Sequence, residues 1–190
     1  MKRSTDRIIT THVGSLARLP EVIAPMKARE SGASIDQAAF AKAVKGAVDT
    51  VVKKQVELGI DVVSDGEQSK TSFNNYITER LTGFEPRAGV PSGAGNPAVA
   101  WSGSRERAAF PEFYEWYGRQ VSAPLSNQSV FTCTGPITYR GAAAVQTDIA
   151  NLKAAASAAG AVEAFMPAVA AATVAASRPN EYYKLSLIHI

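Results

Sequence analysis

The stretch from Ser34 to Glu67 constrains the fold more than any other. Ser34-Ile35-Asp36-Gln37 has the form of a capping box, in which the serine hydroxyl accepts from a free backbone N–H and Gln37 reaches back. Phe40, Val44, Val48, Val51 and Leu58 follow at helical spacing. Lys45, Asp49, Lys53 and Glu57 lie four apart with alternating sign, a solvated face with weak ion-pair support. Gly59 is a good helix stop. Ile60-Asp61-Val62-Val63 comes next, a short β-branched run that suits a strand covered on both sides, as in a parallel sheet. It runs into polar Ser64-Asp65-Gly66-Glu67. Helix, glycine, short apolar strand and polar cluster is the βαβ rhythm.

The rhythm extends both ways. Ile8-Ile9-Thr10-Thr11 is a β-prone run ended by Gly14-Ser15, and a loop follows with Pro20 and Pro25 as breakers. Ser129-Val130-Phe131-Thr132-Cys133 is a third strand, ended by Thr134-Gly135-Pro136. Val145, Ile149 and Leu152 mark another helix, stopped near Gly160. Phe165 to Ala170 is a weaker fourth strand, and Ser177-Arg178-Pro179-Asn180-Glu181 carries helix-start chemistry. Residues 82–105 interrupt the pattern with Gly83, Gly89, Gly93, Gly95, Gly103, Pro86, Pro91 and Pro97, an inserted loop of the functional or disordered kind. The aromatic group Phe110, Phe113, Tyr114, Trp116 and Tyr117 after it reads as a short packed helix. A (β/α)₈ barrel needs about 250 residues. This α/β chain of 190 residues therefore supplies about four βα units, half of a TIM (β/α)₈ barrel, over residues 1–184, or a small open sheet.

Composition narrows the function classes. A net charge of +3, with 46% hydrophobic and 19% charged residues, is that of a soluble globular protein. The densest basic run, Lys53-Lys54, sits inside a helix, so no nucleic-acid partner is expected. Cys133 is the one cysteine, which excludes an internal disulfide. No apolar run follows Met1-Lys2-Arg3, and the alanine-rich stretch 154–176 is broken by Gly160, Glu163 and Pro167. The expectation is a cytoplasmic protein with no membrane span.

In parallel-strand barrels the chemistry gathers where strands end. That rule selects His12 to Ser15, Asp65 to Glu67, Cys133 to Pro136 and the stretch after Pro167. Gly14-Ser15 offers a hydroxyl and free N–H groups able to hold a carboxylate, or is a plain turn. Asp65 and Glu67 could hold an amino group or a cation, or form a solvated turn whose acids favour a helix start. His12 is a ligand or proton carrier, or a packed histidine. Cys133, in an apolar run, reads as a buried inert thiol. A catalytic zinc needs about three protein ligands, and no metal set can be assigned from these residues. There is no G-x-G-x-x-G, phosphate-binding loop or G-x-S-x-G.

Residues 185–190, Leu-Ser-Leu-Ile-His-Ile, interrupt a helix that has just started. They match a translation of the transposon end used in shotgun library preparation. We expect an adapter-derived tail, with the natural protein continuing beyond Lys184 and His189 carrying no function.

The strings themselves say more. Arg7-Ile-Ile-Thr-Thr-His-Val-Gly-Ser-Leu16 resembles the opening of the cobalamin-independent methionine synthase catalytic domain and its short single-domain relatives. Gln55-Val-Glu-Leu-Gly-Ile-Asp-Val-Val-Ser-Asp-Gly-Glu-Gln-Ser-Lys70 is similar to the second strand of those relatives. Thr134-Gly-Pro-Ile-Thr138 and Glu163-Ala-Phe-Met-Pro167 resemble later stretches in the same order. The resemblance implies a (β/α)₈ barrel that transfers a methyl group from a reduced folate to a thiol such as homocysteine, without cobalamin. It implies that Ser15 contacts the amino acid substrate and that Glu67 holds its amino group. Asp65 stands where the larger synthases usually carry histidine, and His12 also departs from their motif. The family's zinc ligands, a His-x-Cys pair and a later cysteine, belong to the second half, so zinc is implied for the full-length protein and not for this chain. A thiol alkyltransferase of the coenzyme M type and a non-catalytic half-barrel binding module remain as alternatives.

Overall fold

The computed structural model describes residues 2–30, 32–72, 76–87, 105–121, 130–176 and 178–184. In chain order its elements are α1 (Pro20–Glu30), α2 (Gln37–Glu57), β1 (Val62–Ser64), α3 (Ile77–Arg80), β2 (Phe84–Arg87), α4 (Arg105–Ala109), α5 (Pro111–Val121), β3 (Val130–Cys133), α6 (Ala142–Ala158), β4 (Glu163–Phe165) and α7 (Ala171–Ala176). The chain is α/β. It divides into a unit of residues 1–73 with 142–168 and a second of residues 74–141 with 169–190.

In the first unit α2 is the spine. Its cap is Asp36 rather than Ser34: the Asp36 carboxylate accepts from the N–H groups of Ala38 at 2.9 Å and Ala39 at 3.0 Å. An acid directly before the first helical residue reaches those donors, and Ser34 stands too far back. Phe40, Val44, Ala47, Val48, Val52 and Gln55 form the buried stripe, packed between α1 and α6. Lys45 pairs with Asp49 at 2.8 Å on the exposed face.

The expected loop around Pro20 and Pro25 is instead helix α1. Pro20 opens it, where a missing N–H costs nothing. Pro25 lies inside, at a cost of about 3 kcal/mol. Val22 and Met26 are fully buried, and burying two such side chains returns about 3–6 kcal/mol. Burial wins.

β1 and β4 pair in parallel, Val62 opposite Glu163 and Ser64 opposite Phe165. The expected strand at Ile8–Thr11 is reduced to one parallel bridge, Thr11 to Val62. The side chain of Asp61 explains this: it accepts the Thr10 N–H at 2.8 Å, a donor that a ladder would otherwise use. The fourth strand falls earlier than expected, at Glu163–Phe165 rather than 165–170. Ser64 has its N–H and C=O both bonded by the amide of buried Gln55, at 3.0 and 2.8 Å.

The second unit departs further from the sequence reading. β3 is present but is no parallel barrel strand; it pairs antiparallel with β2, Phe84 opposite Cys133 and Arg87 opposite Val130. The inserted stretch 82–105 therefore opens with a strand, and residues 88–104 lie outside the described residues. Gly83, at φ +83°, leaves no room for a side chain, since a Cβ would stand 2.6 Å from the Gly135 carbonyl oxygen. No helix starts at residues 178–181. Cys133 N–H donates to Pro179 at 2.8 Å and Glu181 N–H to Cys133 at 2.9 Å, so this stretch is held to β3. Asn180 Oδ1 then accepts from Tyr182 and Tyr183 in an Asx turn. The aromatic segment is helical, but Phe110, Phe113 and Trp116 stand at the surface. Ser177, Ser129, the Tyr117 side chain and the 185–190 tail lie outside the described residues.

Candidate functional site

The ends of β1, of β4 and of the Thr11 segment come together in the first unit. Leaving β1, the chain turns through Gly66 and Glu67, both left-handed at φ +58° and +57°. A left-handed glutamate is strained. Asp65 supports it: Asp65 Oδ1 accepts the Glu67 N–H at 3.0 Å. Gly66 lies so close to Leu16 that a Cβ would approach the Leu16 Cβ to 3.0 Å. The backbone there is tied as well, Leu16 N–H to Gly66 O at 3.0 Å.

This turn carries Glu67 to Ser15. Ser15 Oγ donates to Glu67 Oε2 at 2.5 Å, within a charge-assisted range. Glu67 is 3% exposed, whereas Ser15 is open. Glu67 Oε1 accepts no hydrogen bond among the described residues. A buried carboxylate with an uncommitted oxygen is suited to a cationic or N–H donor ligand.

Sequence reasoning did not single out Arg18, Gln68 or Lys70, which brace the turn. Arg18 Nη2 donates to the carbonyls of Glu67 and Lys70, at 2.9 and 2.6 Å. Burial lowers the Arg18 pKa, and the charges of Glu67 and Asp65 act the other way. Gln68 Nε2 donates to Leu16 and Gly66 carbonyls, each at 3.2 Å. Lys70 Nζ donates to the Pro167 carbonyl at 2.9 Å and faces Asp65 Oδ2 at 3.5 Å. Apart from the Asp65 carboxylate, these partners are backbone carbonyls, which leave no trace in a residue pattern. The one available signal was the closeness of Gln68 and Lys70 to the Asp-Gly-Glu stretch.

His12 is half-buried beside Thr11, and its Nε2 is buried without a hydrogen-bond partner among the described residues. No hydrogen bond joins it to Ser15, Asp65 or Glu67 among those residues. Cys133 belongs to the second unit, fully buried, and burial pushes its thiol pKa up. Among the described residues no group of three or more His, Cys, Asp or Glu side chains is placed to hold a metal ion. No helix among them is long and apolar enough to cross a membrane.

Residues 8–175 match the family described as cobalamin-independent synthase, catalytic domain. A 5-methyltetrahydropteroyltriglutamate–homocysteine methyltransferase of Corynebacterium glutamicum (strain R) is 31% identical over 145 residues, 73% of this chain and 19% of that protein. The protein of the same name from Vibrio cholerae is 29% identical over 135 residues, 68% of this chain and 17% of its own length. A B12-independent methionine synthase structure from Shewanella sp. W3-18-1, in complex with selenomethionine, aligns over 93% of this chain and 42% of its own. The TM-score is 0.55 and the identity 17%, a likeness of fold. The chain thus spans a minor part of each of these proteins.

Proposed function

This chain belongs to the cobalamin-independent synthase catalytic-domain family, and on that premise we propose that it supplies the amino acid half-site of a methyltransferase. The reaction is transfer of a methyl group from a reduced folate, 5-methyltetrahydropteroylglutamate in type, to the thiol of homocysteine, in methionine biosynthesis. In this reading the strand ends described above are the first part of a (β/α)₈ barrel, and Glu67 takes the substrate's ammonium. Ser15 orients Glu67 and meets the substrate. Asp65 fixes the turn, and His12 lines the site.

One observation carries the reading: the buried Glu67 carboxylate, turned onto Ser15 where parallel strands end. An α-ammonium offers the cationic N–H donors that the uncommitted Oε1 lacks. Zinc does not fit the described residues of this chain. We assign zinc dependence to the full-length protein, through residues outside this chain, and derive no step from it here. Without that metal the 190-residue chain binds substrate and does not turn over.

Isothermal titration with L-homocysteine under reducing conditions tests the reading. Glu67→Gln removes the charge and keeps the shape, so it should weaken binding by roughly ten- to a hundredfold, the loss of a charge-assisted hydrogen bond. Equal affinity in the parent and in Glu67→Gln would overturn the assignment.

A further inference from the structure

We infer that Lys70 is a positioning residue that holds Glu67 in its binding geometry by locking Asp65 between two strand ends. The inference rests on the reading of Glu67 as the ammonium acceptor, and goes beyond it by naming what keeps that side chain in place.

Lys70 is 4% exposed and Asp65 2%. Burying an ammonium is costly unless it is paired and hydrogen-bonded. Its ammonium has the Pro167 carbonyl, just past β4, and Asp65 Oδ2, at the outer edge of hydrogen-bond distance. The other oxygen of Asp65 accepts the Glu67 N–H. Both Asp65 oxygens are therefore engaged inward, one by the backbone it shapes and one by Lys70.

The order of dependence follows. Glu67 needs a left-handed backbone to face Ser15. A single non-glycine residue in that region costs roughly 1–3 kcal/mol unless its surroundings hold it. Asp65 holds it through one hydrogen bond, and its other oxygen faces the Lys70 ammonium, which fixes the carboxylate plane. Lys70 in turn hangs from the neighbouring strand's exit at Pro167. The ammonium site is thus aligned with β4 through a charge that never touches the ligand.

The decisive readout needs no ligand. In the full 190-residue chain, the Glu67 backbone amide should exchange with deuterated water about tenfold faster in Lys70→Met than in the parent, while the α2 amides stay unchanged. Lys70→Arg keeps charge and donors and should restore slow exchange. Lys70→Met leaves a buried carboxylate unpaired and could fail to fold. The pair Asp65→Asn/Lys70→Met removes both charges at once and should show the same fast Glu67 amide. Unchanged exchange at Glu67 in whichever of these two variants folds, or no rescue by Lys70→Arg, overturns the role of Lys70. L-homocysteine titration is the second readout: affinity should drop about tenfold in Lys70→Met and return in Lys70→Arg. A parent chain that fails to bind L-homocysteine sinks the reading of Glu67 and leaves the exchange result to decide Lys70 by itself.

Discussion

At the scale of single residues, Asp61 shows how one carboxylate can replace a strand partner. Arg7 donates to it, the Thr10 N–H and hydroxyl donate to it, and its pKa is held far below the usual carboxylate range, first by the Arg7 hydrogen bond and next by Thr10. A carboxyl whose folded pKa is depressed stabilises the fold fully above its unfolded value, near 4, and loses that contribution as pH falls below it. The melting temperature of the parent should exceed that of Asp61→Asn at neutral pH, and the gap should narrow as pH falls below about 4. A gap that stays constant down to about pH 2 would show that Asp61 acts by shape alone. None of this was legible in the sequence, where Asp61 is one polar residue in a β-branched run. The closeness of Ser15 and Glu67 was legible only through the resemblance of their surrounding strings. Spacing places each at a strand end but says nothing of the left-handed turn that brings them within 2.5 Å.

Among the elements, α2 was the most legible, because a 3.6-residue period, a polar cap and a terminal glycine all agree on it. Even there the cap moved from Ser34 to Asp36. α1 was hidden by its two prolines, and only the burial of Val22 and Met26 reveals why the helix survives them. β2 was hidden by Pro86 and the surrounding glycines, which read as loop although a proline can sit on a strand with an open edge. The antiparallel direction of β3 could not be read at all, since a short apolar run carries no sign of its partner. Gln55 belongs to this scale. It caps β1 from within α2, satisfying the N–H and C=O of Ser64 together. Gln55→Leu fits the same space and leaves both groups buried and unpaired. It should cost about 2–6 kcal/mol in urea unfolding, each of the two unsatisfied buried groups counting about 1–3. A loss below about 0.5 kcal/mol, the range of an ordinary surface change, would mean water or a shifted backbone takes over.

Over the whole molecule, large apolar side chains stand in the open. In the first unit Ile8, Val13 and Val162 are 82%, 72% and 59% exposed, and in the second Phe110, Phe113 and Trp116 are 63%, 51% and 53% exposed. Surface of this kind drives association, and a short parallel pair leaves strand edges able to recruit more chain. Sedimentation velocity of the 190-residue chain at micromolar concentration should show dimers or larger species. A monodisperse monomer that melts cooperatively would favour the stand-alone binding module instead. The pairing of Val62 with Glu163 also sets a clock. β1 leaves the ribosome about a hundred residues ahead of β4, which at 5–20 residues per second is a wait of roughly 5–20 s. Through that interval Gln55, already made, can occupy both polar groups at the strand's tip and deny them to stray chains. The Gln55→Leu variant should therefore lose more soluble yield during synthesis than its equilibrium stability accounts for. The same side chain that fastens a strand in the finished protein guards it while the protein is still unfinished.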